Sequence, residues 1–148
     1  MKIYIGADHN GYELKEALKR HLTDDGFEVI DQGDKQLEAS DDFPLFAARV
    51  ATAVLGSDDK DARGILICGS GQGMIMAANR YKGIRASLVW NMSEARSSRN
   101  DDDSNVLCLP AHEIDERTAR GITTTWLKTP FAAAARFQRR INQLDELN

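Results

Sequence analysis

Short apolar runs alternate with amphipathic helical segments five times along this chain, and this alternation limits the possible folds more than any other feature. The runs are bounded by glycine or polar turns, and their length is typical of buried parallel strands. Repeated strand–helix units predict a three-layer α/β, Rossmann-like fold, in which a five-stranded parallel sheet is flanked by helices. The predicted strands are 2–7, 27–30, 65–68, 84–90 and 105–109.

A last helix, predicted over 131–147, stands outside this alternation because no strand follows it. Its apolar residues Phe137, Ile141 and Leu144 share one face, so the helix must pack against something other than a crossover strand. The length of 148 residues fits one domain, 1–148, by the usual size of a domain.

The composition argues against several classes of protein. The formal net charge is −4, which is not the basic footprint of a protein that binds nucleic acid. No run approaches transmembrane length, and the first residues resemble a strand rather than an apolar signal segment, so we expect no membrane partner. Cys68 and Cys108 lack the spacing of metal ligands, and reduced thiols fit a cytoplasmic protein.

The third predicted strand ends in Cys68 and continues into alternate glycines. The sequence from position 64 is G-I-L-I-C-G-S-G-Q-G-M, which combines a strand, a glycine loop and the start of a helix. Alternate glycines let the backbone approach a ligand closely, and the free N–H groups at a helix start attract negative charge. We expect a thiol at the rim of this anion cradle to lose its proton more readily than usual, which would make Cys68 a reactive base.

A purely structural interpretation of this stretch stays open. Most cysteines at strand ends are packed rather than reactive, and glycine-rich turns occur in many α/β domains. The pattern G-x-G-x-G is not the dinucleotide-binding fingerprint, and no Gly-Lys-Ser/Thr follows to complete a phosphate-binding P-loop.

Ligands of parallel α/β sheets bind beyond the carboxyl ends of the strands, and this rule predicts where a site would lie. The residues that follow the predicted strands are Asp8 and His9, Asp42, the loop from Cys68 to Gly73, and the turn from Pro110 to His112. A lone histidine in a turn is often only structural, so His9 has that alternative.

Arg136 and Arg140 lie four residues apart on the last predicted helix and therefore project from one face. A guanidinium fork matches the oxygens of a phosphate, so the pair is a candidate phosphate site. The alternative is a solvated basic face, which is the commoner meaning of arginines near a helix end and which would also explain Arg139.

Taken together, seven motifs resemble those of the type B ribose-5-phosphate isomerases and their galactose- and allose-phosphate isomerase relatives. The resemblance covers almost the whole chain. Its most specific part is the combination of D-H after the first strand with I-C-G-S-G at the third. The motifs are I-G-A-D-H-N-G (5–11), D-F-P (42–44), G-I-L-I-C-G-S-G-Q-G (64–73), A-A-N-R (77–80), G-I-R-A (83–86), S-R-N-D-D-D-S-N-V (98–106) and R-F-Q-R-R (136–140).

The resemblance implies aldose–ketose isomerisation of a sugar phosphate through an enediolate, without a metal or an organic cofactor. Cys68 matches the family's cysteine that moves the proton between C1 and C2. Asp8 and His9 match its substrate-binding pair. The groups that match its enediolate stabilisers are Ser70 and the backbone amides of Gly69, Gly71, Gln72 and Gly73.

The resemblance also implies an assembly. Arg136 and Arg140 match phosphate-binding arginines that the partner subunit donates, so a homodimer with shared active sites is expected. The helix at 131–147 would then contact the partner. Whether dimers pair into tetramers stays open.

The chain departs from the family pattern at four positions. Asp101 stands where a ring-opening histidine is common, and Asp102 where an asparagine is common; both adjacent carboxylates can raise each other's pKa. His112 replaces a further phosphate-binding arginine, and Phe137 replaces a histidine. Asp101 stays a candidate catalytic acid/base, and Asp102 and His112 stay candidate substrate-binding residues, although carboxylates repel a phosphate.

The leading hypothesis is an isomerase that converts ribose 5-phosphate to ribulose 5-phosphate, with Cys68 as the base. A tetrose phosphate, which needs no ring opening, or a hexose phosphate is the alternative substrate. The alternative from another class is a non-catalytic sugar-phosphate binder or a structural partner subunit. The missing ring-opening histidine motivates that alternative, whereas the retained Cys68 and Ser70 argue against it, because a binder has no use for a base there.

Overall fold

Five strands form one sheet in this computed structural model, which describes residues 1–147 of the chain. The strands are β1 (Lys2–Ala7), β2 (Glu28–Asp31), β3 (Arg63–Cys68), β4 (Ala86–Leu88) and β5 (Val106–Pro110). Their order across the sheet is β2-β1-β3-β5-β4, and every neighbouring pair is parallel. The predicted α/β fold with a five-stranded parallel sheet is therefore confirmed.

Helices cover both faces of this sheet. They are α1 (Tyr12–Asp24), α2 (Phe43–Leu55), α3 (Gln72–Ala78), α4 (Met92–Asn100), α5 (Glu116–Lys128) and α6 (Ala135–Asp145). One apolar cluster joins α1, α4 and α5 to the sheet and includes the fully buried Leu18 and Trp126. A second cluster joins α2 and α3 to the opposite face around Phe46 and Met74. Within residues 1–147, no helix is both long enough and apolar enough to cross a membrane.

The central strand β3 is buried along its whole length. Ile65 and Ile67 belong to the cluster under α1, α4 and α5, whereas Leu66 and Cys68 belong to the cluster under α2 and α3. This division follows from the two-residue period of a strand, which sends successive side chains to opposite faces. Cys68 therefore lies on the face of the sheet that α3 covers.

The strand order reverses beside β1, which has β2 on one side and β3 on the other. In open α/β sheets such a reversal opens a crevice beyond the carboxyl ends of the strands. The register pairs Ala7 with Ile67 and Cys68 with Pro110. The segments that follow β1, β3 and β5 therefore meet at one edge of the sheet.

The predicted boundaries of the other strands are within two residues of those observed, and the last helix and the fourth strand differ most from the prediction. The last helix begins at Ala135 instead of residue 131, because Ala133 adopts a left-handed conformation with φ of +54° that no helix can contain. The strand predicted over 84–90 is confined to Ala86–Leu88. Its start is lost because Ile84 closes a turn by donating its N–H to the carbonyl of Tyr81 at 3.0 Å.

Candidate active site

Cys68 ends β3 beneath the glycine loop. Gly71 begins α3 with φ of +75°, a left-handed conformation, and a Cβ there would overlap the side chain of Leu88. Only glycine satisfies both conditions. The resulting tight turn brings the N–H groups of Met74, Gly71 and Gly73 to the Cys68 sulfur, where each favours the thiolate.

We expected this thiol to ionise more readily than usual, and that expectation is wrong for the free protein. Burial raises the pKa of the Cys68 thiol, and the charge of Asp8 raises it further, against the effect of the three N–H groups. Cys68 is only 5% exposed, so its thiolate would lose most of its hydration. The resting state is therefore a neutral thiol that already faces N–H donors.

The remaining loop residues lie around the thiol. Ser70 is exposed, and its Oγ accepts the N–H of the exposed Gln72 at 3.3 Å. Gly73 lies under the ring of Phe43: a Cβ on Gly73 would be 2.6 Å from Phe43 Cζ. The loop is thus closed on one side by an aromatic ring, while the Ser70 hydroxyl stays open to a ligand.

Asp8 follows β1 and is 5% exposed. Its Oδ1 accepts the N–H groups of Asn10 at 3.0 Å and Gly11 at 3.3 Å, which fixes the turn that leads into α1. Burial raises the pKa of this carboxyl despite the two hydrogen bonds. Its influence on the pKa of Cys68 shows that the ends of β1 and β3 bring the two groups near each other.

His9 is held by a residue that sequence reasoning missed. Asp41 Oδ1 accepts the backbone N–H of His9 at 2.9 Å and lies 2.8 Å from its ring Nδ1. From its position after the second strand we expected Asp42 in the site, but Asp42 is exposed and caps α2 without a side-chain hydrogen bond. The hydrogen bond to Asp41 raises the pKa of His9, and the charge of Asp8 adds to this effect.

The turn after β5 completes this side of the site. Ala111 N–H donates to the carbonyl of Cys68 and His112 N–H to that of Gly69, both at 2.9 Å. The His112 ring packs on Gly69, since a Cβ there would lie 2.9 Å from His112 Cε1. We call the following group the thiol wall: Asp8, His9, Asp41, the loop from Cys68 to Gly73, and His112.

The other predicted site residues form a separate group. Asp101 ends α4 and accepts a hydrogen bond from Asn100 Nδ2 at 2.7 Å. Burial and then the charge of Asp101 raise the pKa of Asp102, while Arg140 on α6 lowers it. Arg136 is exposed and lies over the ring of Phe137, 4.3 Å from its centroid. We call this group, Asp101, Asp102, Arg136 and Arg140, the arginine wall.

The two walls are not joined within one chain. Among residues 1–147, no hydrogen bond or ion pair connects a member of the arginine wall to a member of the thiol wall. The same residues contain no cluster of three or more His, Cys, Asp or Glu side chains that could hold a metal ion. The thiol wall by itself offers a proton acceptor, prearranged N–H donors and a buried carboxylate, which is what proton transfer at a carbon beside a carbonyl requires.

The chain is a Rossmann-like α/β protein whose candidate ligand site lies at the carboxyl ends of its parallel strands. The model of the Ribose/Galactose Isomerase family matches residues 3–144. A probable ribose-5-phosphate isomerase B of Mycoplasma genitalium is 42% identical over 142 residues, which are 96% of this chain and 92% of that protein. The chain belongs to the ribose/galactose isomerase family.

Solved structures agree with this assignment. The ribose 5-phosphate isomerase of Thermotoga maritima superposes with a TM-score of 0.93 at 42% identity, over 99% of this chain and 98% of that one. The Mycoplasma genitalium ribose-5-phosphate isomerase B, solved with bound ribulose-5-phosphate, gives 0.91 at 39% identity, over 97% of this chain and 93% of that one.

Proposed function

We propose that this protein is an aldose–ketose isomerase that interconverts ribose 5-phosphate and ribulose 5-phosphate. Its family membership and the relatives named for that reaction support the substrate. The observation that carries the chemistry is the Cys68 thiol, which lies at the end of β3 against the N–H groups of Met74, Gly71 and Gly73 and near Asp8. Family membership alone would not supply a base, whereas this arrangement does.

The reaction moves two hydrogens and leaves the overall oxidation level of the sugar unchanged. The Cys68 thiolate takes the proton from C2 of the open-chain aldose, and the C–H electron pair forms the C1–C2 double bond of an enediolate. The resulting thiol returns its proton to C1, and the proton lost by the C2 hydroxyl is balanced by one gained at O1, so that C2 becomes the ketone and C1 becomes CH2OH. No electron acceptor is consumed, because the oxidation of C2 is balanced by the reduction of C1.

Negative charge develops on the O1 and O2 oxygens of the enediolate. The amides of the loop from Gly69 to Gly73 and the Ser70 hydroxyl are the donors assigned to these oxygens. Donors already in place need no reorganisation when the charge forms, which is the main source of such stabilisation. Ser70 is exposed in the free protein, so a ligand can reach its hydroxyl.

The neutral thiol must first lose its proton. The pKa of Cys68 is raised in the free protein, so the thiolate is a minor species at neutral pH. The charge of Asp8 raises this pKa, and Asp8 is assigned to substrate binding together with His9. Gln72 is assigned to the same role through its backbone amide, and His112 through its position over Gly69.

The substrate phosphate is assigned to Arg136 and Arg140 of a second protomer. In support, both arginines are exposed on α6, and no hydrogen bond or ion pair ties them to the thiol wall within residues 1–147. A homodimer with two shared sites would bring the walls together, and α6 would then contact the partner. A cytoplasmic location fits the two free cysteines, Cys68 and Cys108, which are both buried.

A second candidate is an isomerase of open-chain sugar phosphates, such as a tetrose phosphate. It is favoured by Asp101, a carboxylate at the position that the family commonly gives to a ring-opening histidine, and by the neighbouring Asp102. A non-catalytic sugar-phosphate binder is the third candidate, and a base at Cys68 would then have no purpose.

The test is ketose formation from a panel of four- to six-carbon aldose phosphates by the wild type and by Cys68→Ala. Turnover of ribose 5-phosphate that Cys68→Ala abolishes is the expected result. Turnover of a tetrose phosphate alone would select the second candidate. Binding of sugar phosphates without turnover of any of them would select the third.

A further inference from the structure

Asp41 binds His9 at two points. Its Oδ1 accepts the backbone N–H of His9 at 2.9 Å and lies 2.8 Å from ring Nδ1. The Asp41 side chain is 8% exposed, whereas the His9 side chain is 34% exposed. One buried oxygen therefore fixes both the backbone and the ring of a histidine whose other edge faces solvent.

The loop before α2 holds Asp41 in place. Asp41 N–H donates to the carbonyl of Glu38 at 3.2 Å, and the Glu38 carboxylate accepts the Ser40 hydroxyl at 2.8 Å. Two residues further on, the Phe43 ring covers Gly73 of the glycine loop. The segment 41–43 therefore contacts both the His9 turn and the loop that surrounds the thiol.

We propose that Asp41 is a positioning residue that holds His9 with its Nδ1–H directed at Asp41 and thereby presents Nε2 to the bound sugar phosphate. The identity of this ligand rests on the function proposed above. A carboxylate only accepts hydrogen bonds, so Nδ1 must carry the hydrogen. Within residues 1–147 no hydrogen bond engages Nε2, which leaves it for a ligand.

Asp41 also affects the charge of the ring. The charged groups that act on His9 are Asp41 on the loop before α2 and Asp8 on its own turn. The Asp41 hydrogen bond and the charge of Asp8 raise the pKa of His9. An imidazolium donates from both nitrogens, so a charged His9 would give Nε2–H to an anionic ligand.

Three variants separate the two effects. Asp41→Asn keeps an oxygen that can accept from Nδ1 but removes the charge, whereas Asp41→Ala removes both. Asp42→Asn is the matched control, because it removes the same charge from the adjacent, exposed residue, which makes no side-chain cap hydrogen bond. The chain has three histidines, so a His9→Gln spectrum suffices to assign the His9 ring signals.

The first measurement is ¹⁵N NMR of the histidine rings in the free protein across pH. The neutral His9 ring is expected to carry its hydrogen on Nδ1 in the wild type, Asp41→Asn and Asp42→Asn, and to lose that preference in Asp41→Ala. The titration midpoint of His9 is expected to move to lower pH in Asp41→Asn and Asp41→Ala but not in Asp42→Asn. This measurement needs no turnover.

The second measurement is KM and kcat for ribose 5-phosphate across pH. Loss of one charge-assisted hydrogen bond is expected to raise KM about tenfold in Asp41→Ala, with a smaller change in kcat. In Asp41→Asn the defect should shrink as the pH falls below the lowered His9 midpoint, because the ring is then charged again. A merely structural defect would not depend on pH in this way.

Two failures are distinguishable. If the ring hydrogen and the midpoint of His9 are the same in all Asp41 variants as in Asp42→Asn, Asp41 does not position His9, whatever happens to turnover. If the NMR results hold but the wild type does not turn over ribose 5-phosphate, Asp41 still positions His9, while the proposed function and the ligand assigned to Nε2 are wrong.

Discussion

The thiol wall and the arginine wall differ in how the fold supports them. The thiol wall is built from segments that follow β1, β3 and β5, and backbone hydrogen bonds of 2.9 Å join Ala111 to Cys68 and His112 to Gly69. The arginine wall depends on α6, which follows a left-handed Ala133. Leu144 near the end of α6 is 51% exposed. The thiol wall is tied together by hydrogen bonds, whereas within residues 1–147 no hydrogen bond or ion pair engages the side chain of Arg136 or Arg140.

In the proposed mechanism, this difference separates the groups for proton transfer from the groups that recognise the substrate phosphate. The thiol to which we assign the proton transfer and the amides to which we assign the enediolate oxygens belong to the thiol wall. The groups assigned to the phosphate belong to the arginine wall, which in the proposed dimer acts on the site of the partner. Variants of Cys68 should therefore act mainly on kcat, whereas variants of Arg136 and Arg140 should act mainly on KM, and the two constants can be measured separately.

The largest effect is expected for Cys68→Ala. Removing the base should lower kcat by about 10²–10⁴-fold, the usual contribution of general acid–base catalysis. The fold should persist, because alanine keeps the strand and only a small volume beside Met74 is lost. Steady-state kinetics with circular dichroism as the folding control tests this. A variant with near-normal turnover would remove Cys68 from the mechanism and would overturn the contrast between the walls.

Arg140→Ala is expected to have the next largest effect. Losing a charge-assisted bond to phosphate should cost about 1.5–3 kcal/mol, which appears mainly as a raised KM. Mixing Arg140→Ala protomers with Cys68→Ala protomers should restore activity, since one site of each mixed dimer then combines an intact Cys68 with an intact Arg140. Arg139→Ala is the matched control on the same helix. Absence of rescue despite demonstrated subunit exchange would contradict a shared site.

The sequence predicted best those segments whose structure depends on a few neighbouring residues. The apolar run before Cys68 and the glycines after it predicted β3, the loop and the start of α3, because burial and backbone conformation are read over a few residues. The start of α6 was misplaced because an alanine in a left-handed conformation leaves no signal in the sequence.

Two features of the site could not be predicted from sequence: a contact between residues far apart in the chain, and a pKa that depends on opposing effects. Asp41 lies 32 positions from His9, so no local pattern links the two residues. Because Asp41 and Asp42 are adjacent aspartates, the sequence alone could not tell which of them contacts the site. The pKa of Cys68 was misjudged for a different reason. The glycine loop indicates N–H donors, but how deeply the thiol is buried depends on packing by α3 and the neighbouring strands, and burial outweighs the donors.

The third prediction concerns pH and the thiol wall alone. Because the pKa of Cys68 is raised in the free protein, kcat/KM should increase with pH through the neutral range, by about tenfold per pH unit while the thiol remains mostly protonated. Alkylation of Cys68 by iodoacetamide, followed by peptide mass spectrometry, should show the same rise in the free protein. Cys108, which is fully buried, should not react under these conditions. A rate of alkylation that is already at its plateau at pH 6 would contradict the raised pKa.

The smallest effect is expected at Asp101, the member of the arginine wall that is a candidate for opening the sugar ring. Its carboxylate accepts a hydrogen bond from Asn100 and therefore acts as an acceptor in the free protein. An aspartate side chain is a poorer proton donor at neutral pH than a histidine. Asp101→Asn should therefore change turnover of ribose 5-phosphate only slightly, whereas Asp101→His should increase it. Turnover of an open-chain tetrose phosphate should not change in either variant.

The measurement is turnover of both substrates by the wild type and both variants. A loss in Asp101→Asn that is confined to the cyclic sugar would make Asp101 the ring-opening acid/base, and equal losses on both substrates would make its role structural. In either case the arginine wall would contribute more than phosphate recognition, and the division between the two walls would have to be redrawn.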